Sequence, residues 1–143
     1  MPYEYLEKLT SSDAGFSVWG ESVCEVIQTA GDALIGVMVE VVESIKPVEK
    51  QQVTLKNDDL EMLLVDALQE LIFLKDAYGK LFRYSGCEVR EDQAGYTFEG
   101  EIRGELMDRD RHQFSVDVKA VTMHNFSLKE HNGQWKATVV VDI

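Results

Sequence analysis

Residues 57–82 read "NDDLEMLLVDALQELIFLKDAYGKLF", and within them the spacing of the apolar side chains changes once. Leu60, Leu63, Leu64, Ala67, Leu68, Leu71 and Ile72 recur every three or four positions, which gathers them on one face of a helix. Asp58 ahead of the run and Glu61 three residues later have the form of a capping box. Met62, Val65, Phe73 and Leu74 widen the apolar surface, so the helix is expected to pack on two sides or against a partner. Gly79 ends the rhythm. From Leu81 onward the period is two, with turn residues at Ser85-Gly86, Asp92 to Gly95, Asp108 to Asp110 and Asn132-Gly133. "YTFEGEIRGEL", "FSVDVKAVT", "NFSLKE" and "WKATVVVDI" are therefore expected as successive strands, most simply antiparallel neighbours.

Upstream of this switch, "AGFSVW" alternates as a strand, with Phe16 and Val18 on one face and Ser17 and Trp19 on the other, until Gly20. "SVCE" follows as a capping box, Ser22 capping and Glu25 reaching back. Val23, Val26, Ile27, Ala30, Leu34, Val37, Met38 and Val41 then form a helical stripe that is expected to run on toward Pro47. "VEKQQVTL" reads as a short strand between the helices. Helices early and strands late predict an α+β fold: two amphipathic helices on a largely antiparallel (mixed) sheet. With 143 residues and no repeat or linker, residues 1–143 are expected to form a single domain.

Fourteen Lys and Arg against 26 Asp and Glu leave a net charge of −12, which opposes close approach to a phosphate backbone. Direct, sequence-specific nucleic-acid binding is not expected; cations and basic protein surfaces suit the chain better. Cys24 and Cys87 lie far apart with no zinc-type spacing, and are expected as buried thiols in a reducing compartment. "MPYEYLEKLT" lacks the pattern of a secretory signal, and "ALIGVMVEVV" is too short to span a bilayer and contains Glu40, so a cytoplasmic location is expected.

The chemistry-bearing residues are sparse. Asp13 stands in a small polar turn before the first strand, where it either bonds its own turn or faces a ligand. At the other end, "ATVVVDI" carries strand-forming valines straight into Asp142 and the terminal carboxylate of Ile143. Those acids either cap a core strand in solvent or converge on something positive. "MDRDRH" sets Asp108, Asp110 and His112 at alternate positions, as a metal site or as a charged loop neutralised by Arg109 and Arg111. His124 could exchange protons near neutrality or be held by backbone, and His131 reads as turn surface. No nucleophile elbow, phosphate-binding glycine loop or H-E-x-x-H occurs.

The ordered set of "YEYLE", "DAGFSVWG", "DDLEMLLVDALQELIFL", "RGELMDRDRH", "VKAVTMHNF", Gly133 to Trp135 and "VVVDI" resembles the archease family over nearly the whole chain. That resemblance implies a non-catalytic accessory protein of the RtcB-type tRNA-splicing ligase. Such a protein promotes the ligase's guanylylation and multiple turnover and broadens its nucleotide use. It also implies calcium, or another divalent cation, held by Asp13, Asp142 and Ile143. Lys119, Thr122 and His124 match the family pattern, and Lys119, His112 and His124 are further candidates for a functional role. Where many relatives carry a histidine before the N-terminal Asp, this chain has Thr10, with two extra residues after Glu7, so no role of that histidine transfers. A metal-dependent hydrolase and a general chaperone for RNA-modifying enzymes are the alternatives.

Overall fold

The computed structural model describes residues 3–6 and 12–143. The first helix, α1 (Val23–Met38), starts as its sequence dictates: the Ser22 hydroxyl accepts from the Glu25 N–H at 3.1 Å, and the Glu25 carboxylate accepts from the Glu21 N–H at 3.3 Å. It stops earlier than its apolar stripe. Val39 is extended and bridges Phe114, while the Ser115 N–H donates to Met38 O and the Glu40 N–H to Gln113 O. Tertiary pairing thus claims the backbone before Val41, and only a short 3-10 turn at Val42–Ser44 precedes Pro47. The second helix, α2 (Leu60–Tyr78), is capped by Asp59 rather than Asp58: Asp59 accepts from the Glu61 N–H, and its own N–H donates to Asn57. It ends at Gly79, whose left-handed φ of 64° turns its N–H back onto Leu74 O and Lys75 O.

The strands are β1 (Tyr3–Tyr5), β2 (Asp13–Gly20), β3 (Glu49–Asn57), β4 (Lys80–Asp92), β5 (Gly95–Leu106), β6 (Ala120–His131) and β7 (Gln134–Asp142). They form two sheets, one ordered β1-β2-β7-β6 and one β3-β5-β4, and every strand pair is antiparallel. The α+β expectation holds, with its single sheet divided in two. Each helix packs against strands of both sheets, which explains why so much of each helix surface is apolar. One core joins all layers, with Phe16, Ile27, Leu34, Leu64, Leu68, Phe82, Phe98, Val139 and Val141 among its closed side chains.

Strand boundaries differ from the alternation in three places. Ser85-Gly86 is a bulge inside β4, not a turn. "FSVDVKAVT" contributes only the Phe114 bridge before β6 begins at Ala120. Residues 120–131 form one strand, interrupted by an irregularity between Thr122 and Ser127. The outer side of β6 is covered by α2, because Gln69 accepts from the Val121 N–H and Glu61 from the Leu128 N–H, both at 2.9 Å. Glu61 therefore serves the sheet instead of the capping box.

Cys24 and Cys87 are not the separate buried thiols expected. They are joined as a disulfide between α1 and β4, half-exposed, with their Cα atoms 5.8 Å apart. The pairing joins residues 63 positions apart, a relation that local spacing does not carry.

Candidate functional site

Val139, Val140 and Val141 are closed off from solvent on β7, an inner strand flanked by β2 and β6. That placement carries Asp142 to the sheet's rim beside both neighbours. The β2–β7 register sets Asp13 directly opposite Asp142, and the β6–β7 register sets Ala120 opposite it on the other side. Residues directly opposite each other project from the same face of an antiparallel sheet, with Cβ atoms about 4.5–5.5 Å apart. The ladder continues past the pair, since the Ile143 N–H donates to Ser12 O at 2.9 Å and the Lys119 N–H to Asp142 O at 2.8 Å. Asp142 is exposed, while Asp13 and Ile143 are half-buried. Chain positions 13, 142 and 143 thus meet at one sheet end.

Two carboxylates brought together in this way make an oxygen-only donor set, which suits a hard divalent cation such as calcium and not a soft one. Among the described residues no group of three or more His, Cys, Asp or Glu side chains could hold a metal. A cation at this rim would need further oxygens, and the main chain of residues 142–143 runs beside the pair. The two-residue insertion after Glu7 and Thr10 lie outside the described residues.

His112 belongs to a different network. It is fully buried; its Nδ1 accepts from the Asp108 N–H at 2.9 Å, so its Nε2 carries the proton donated to Glu105 at 2.8 Å. Glu105 also accepts from the Lys46 N–H and from Arg111, which in turn donates to Ser44 O. Burial pushes the Glu105 carboxyl up, but the donors Arg111, Lys46 N–H and His112 outweigh it and hold the group at about 2. Asp108 accepts from the N–H groups of Asp110 and Arg111, which makes "MDRDRH" a self-bonded turn. His124 is exposed at the β6 irregularity, its N–H donating to Thr122 Oγ1 at 3.2 Å, and Lys119 is the candidate nearest the Asp pair along the backbone.

Two buried charges, Lys75 and Asp32, are not evident in the local sequence pattern. Lys75, only 5% exposed, sits four residues after Leu71, where the stripe calls for an apolar residue. It bonds Asp76, Asp117 and Val118 O. Burial pulls its pKa down, but the Asp117 and Asp76 partners more than reverse this and raise it. A cation on a core stripe was the available signal. Asp32 and Arg83, joined through two bonds of 2.8 and 3.0 Å, had none.

Residues 3–143 match the model of the archease protein family. The chain belongs to the archease family. It is similar to the protein archease of Methanopyrus kandleri, 36% identical over 145 residues and covering 100% of each chain. It is also similar to that of Methanosarcina mazei, 37% identical over 142 residues, or 99% of this chain and 95% of the relative. The solution structure of Methanobacterium thermoautotrophicum protein 1598 superposes with a TM-score of 0.83 at 28% identity, covering 99% of this chain and 98% of that one. An archease from Thermotoga maritima, described as a possible chaperone, shares the fold at a TM-score of 0.62 and 16% identity, over 98% of this chain and 99% of that one.

Proposed function

We propose that the chain is a cytoplasmic accessory protein of an RtcB-type tRNA-splicing ligase, which promotes guanylylation of the ligase and its multiple turnover. In this reading it also broadens the ligase's nucleotide use, and Asp13, Asp142 and Ile143 hold a calcium ion. The observation that carries the reading is the β2–β7 register, which sets Asp13 against Asp142 with Ile143 hydrogen-bonded to Ser12, in a chain of the archease family. Bound there, a divalent cation supplies positive charge and a Lewis-acidic coordination centre at a rim otherwise dominated by carboxylates. The protein's own contribution is to hold the two residues in register on paired strands, which reduces the ordering needed when the ion arrives. A net charge of −12 suits a ligase that itself carries the basic RNA-binding surface. Purified chain mixed with a cognate ligase and GTP should accelerate formation of the covalent guanylate and raise turnover. An unchanged rate across a tenfold excess of chain would overturn the assignment.

Of the two bases open to the hydrolase alternative, His112 has both ring nitrogens engaged, which leaves it His124. A general chaperone role has one observation in its favour: Phe73 and Tyr78 stand exposed and edge-to-face on α2. Suppression of aggregation of unrelated clients, compared with Phe73→Ser, distinguishes it from a dedicated ligase partner.

A further inference from the structure

We propose that Cys24 and Cys87 form a reversible thiol–disulfide clasp, opened and closed by exchange with low-molecular-weight thiols while the fold stays intact. Two independent local devices aim the sulfurs at each other. In β4, Phe82 and Tyr84 point into the core, and strict alternation would send Cys87 outward. The bulge between Tyr84 and Gly86 inserts one residue, so that Cys87 and Val89 turn to the core side instead. Cys24 is the second residue of α1, in the turn fixed by Ser22 and Glu25.

The surroundings accommodate both redox states. Cys24 Sγ lies 3.0 Å from Cys87 O, and Cys87 Sγ lies 3.4 Å from Cys24 O, so backbone carbonyls flank the bridge on both sides. Other contacts also keep α1 on β4 when the bridge is open: Arg83 grips Asp32, and the Tyr84 ring lies against Gly31. Both cysteines are half-exposed, and Cys24 lines a cleft of about 380 Å³ with Val89, Tyr96 and Trp135, which gives a small thiol access. Exposed bridges are the ones most readily reduced.

Closure runs through a mixed disulfide. A thiolate of the pair attacks one sulfur of oxidised glutathione, whose S–S bond breaks, and the expelled glutathione thiolate takes up the proton lost by the attacking cysteine. The second cysteine then attacks the protein sulfur of that adduct, expelling a second glutathione, which takes the second proton. The protein dithiol is oxidised by two electrons and the glutathione disulfide is reduced to two thiols.

The full chain is equilibrated in buffers of graded reduced-to-oxidised glutathione and quenched, and its free thiols are counted by maleimide-polyethylene-glycol labelling. Free thiols should pass from none to two with far-ultraviolet circular dichroism unchanged. The reduced form should melt about 10 °C lower, as expected for a bridge closing a loop of this length. Cys24→Ser with Cys87→Ser should melt at the reduced temperature in every buffer, and Cys87→Ser alone should retain glutathione on Cys24. Thiols that never oxidise in the folded chain would overturn the proposal. So would a bridge that opens only when dichroism is lost, or a Cys87→Ser chain that takes up no glutathione.

Discussion

At the scale of single residues, His112 and Asp142 separate a part in holding the fold from the proposed part in holding a cation. His112→Ala removes an acceptor for the Asp108 N–H and a donor to Glu105 inside a closed site, and should cost about 2–4 kcal/mol of stability in urea titration. It should leave calcium affinity unchanged. Asp142→Ala should do the reverse, weakening calcium binding at least tenfold by calorimetry while shifting stability by less than about 1 kcal/mol. A tag appended after Ile143 should weaken binding as well, and an amino-terminal tag should not. Glu105 gives the pH dependence. Its folded carboxyl sits at about 2, below its ordinary value of 4.5, so its stabilising contribution is complete above about 4.5 and fades as pH falls toward 2. Acid unfolding of Glu105→Gln should lack the part of the transition lying in that window. The Asp pair was legible by family likeness, but the partner that consumes His112 was not, because Glu105 is joined to it by a turn rather than by any periodic relation.

Among elements, the helices and β2, β3, β5 and β7 are visible in the spacing of apolar residues, while β6 is divided differently and the limits are not visible. The stripe of α1 continues through Val41, yet Val39 already pairs with Phe114, so long-range backbone bonding overrides a local pattern. The cap of α2 shifts to Asp59 because Asn57 bonds its N–H and Glu61 turns to Leu128. Two glycines of adjacent strands test the ladder itself. A Cβ on Gly104 would collide with the Leu81 carbonyl oxygen, so Gly104→Ala should lose about 3 kcal/mol. Gly86, in the β4 bulge, has nothing within 4 Å of that position, and Gly86→Ala should change the urea midpoint by less than the equivalent of about 0.5 kcal/mol.

For the whole molecule, class and domain count follow from composition and order of elements, whereas the division into two sheets does not. Alternation says that a strand has an inner face; it does not name the neighbour. The pairing of β2 with β7 links nearly opposite ends of the chain, and it is what turns two distant acids into a candidate site. If calcium binds there and not to the unfolded chain, saturating it at 100 times its dissociation constant should raise the melting temperature by roughly 5–11 °C. Chelation should return the original value, measured by scanning calorimetry.

The inner position of β7 has one more consequence. Peeling that ribbon away would leave β2 and β6 facing each other across a slot a single strand wide, lined by unsatisfied amides on both borders. The segment that best refits the slot is a replica of the one removed, and at high concentration a second molecule supplies it. Partial melting of concentrated protein followed by cooling is therefore expected to yield intertwined dimers that exchange their last hairpin arm, whereas dilute samples recover as monomers.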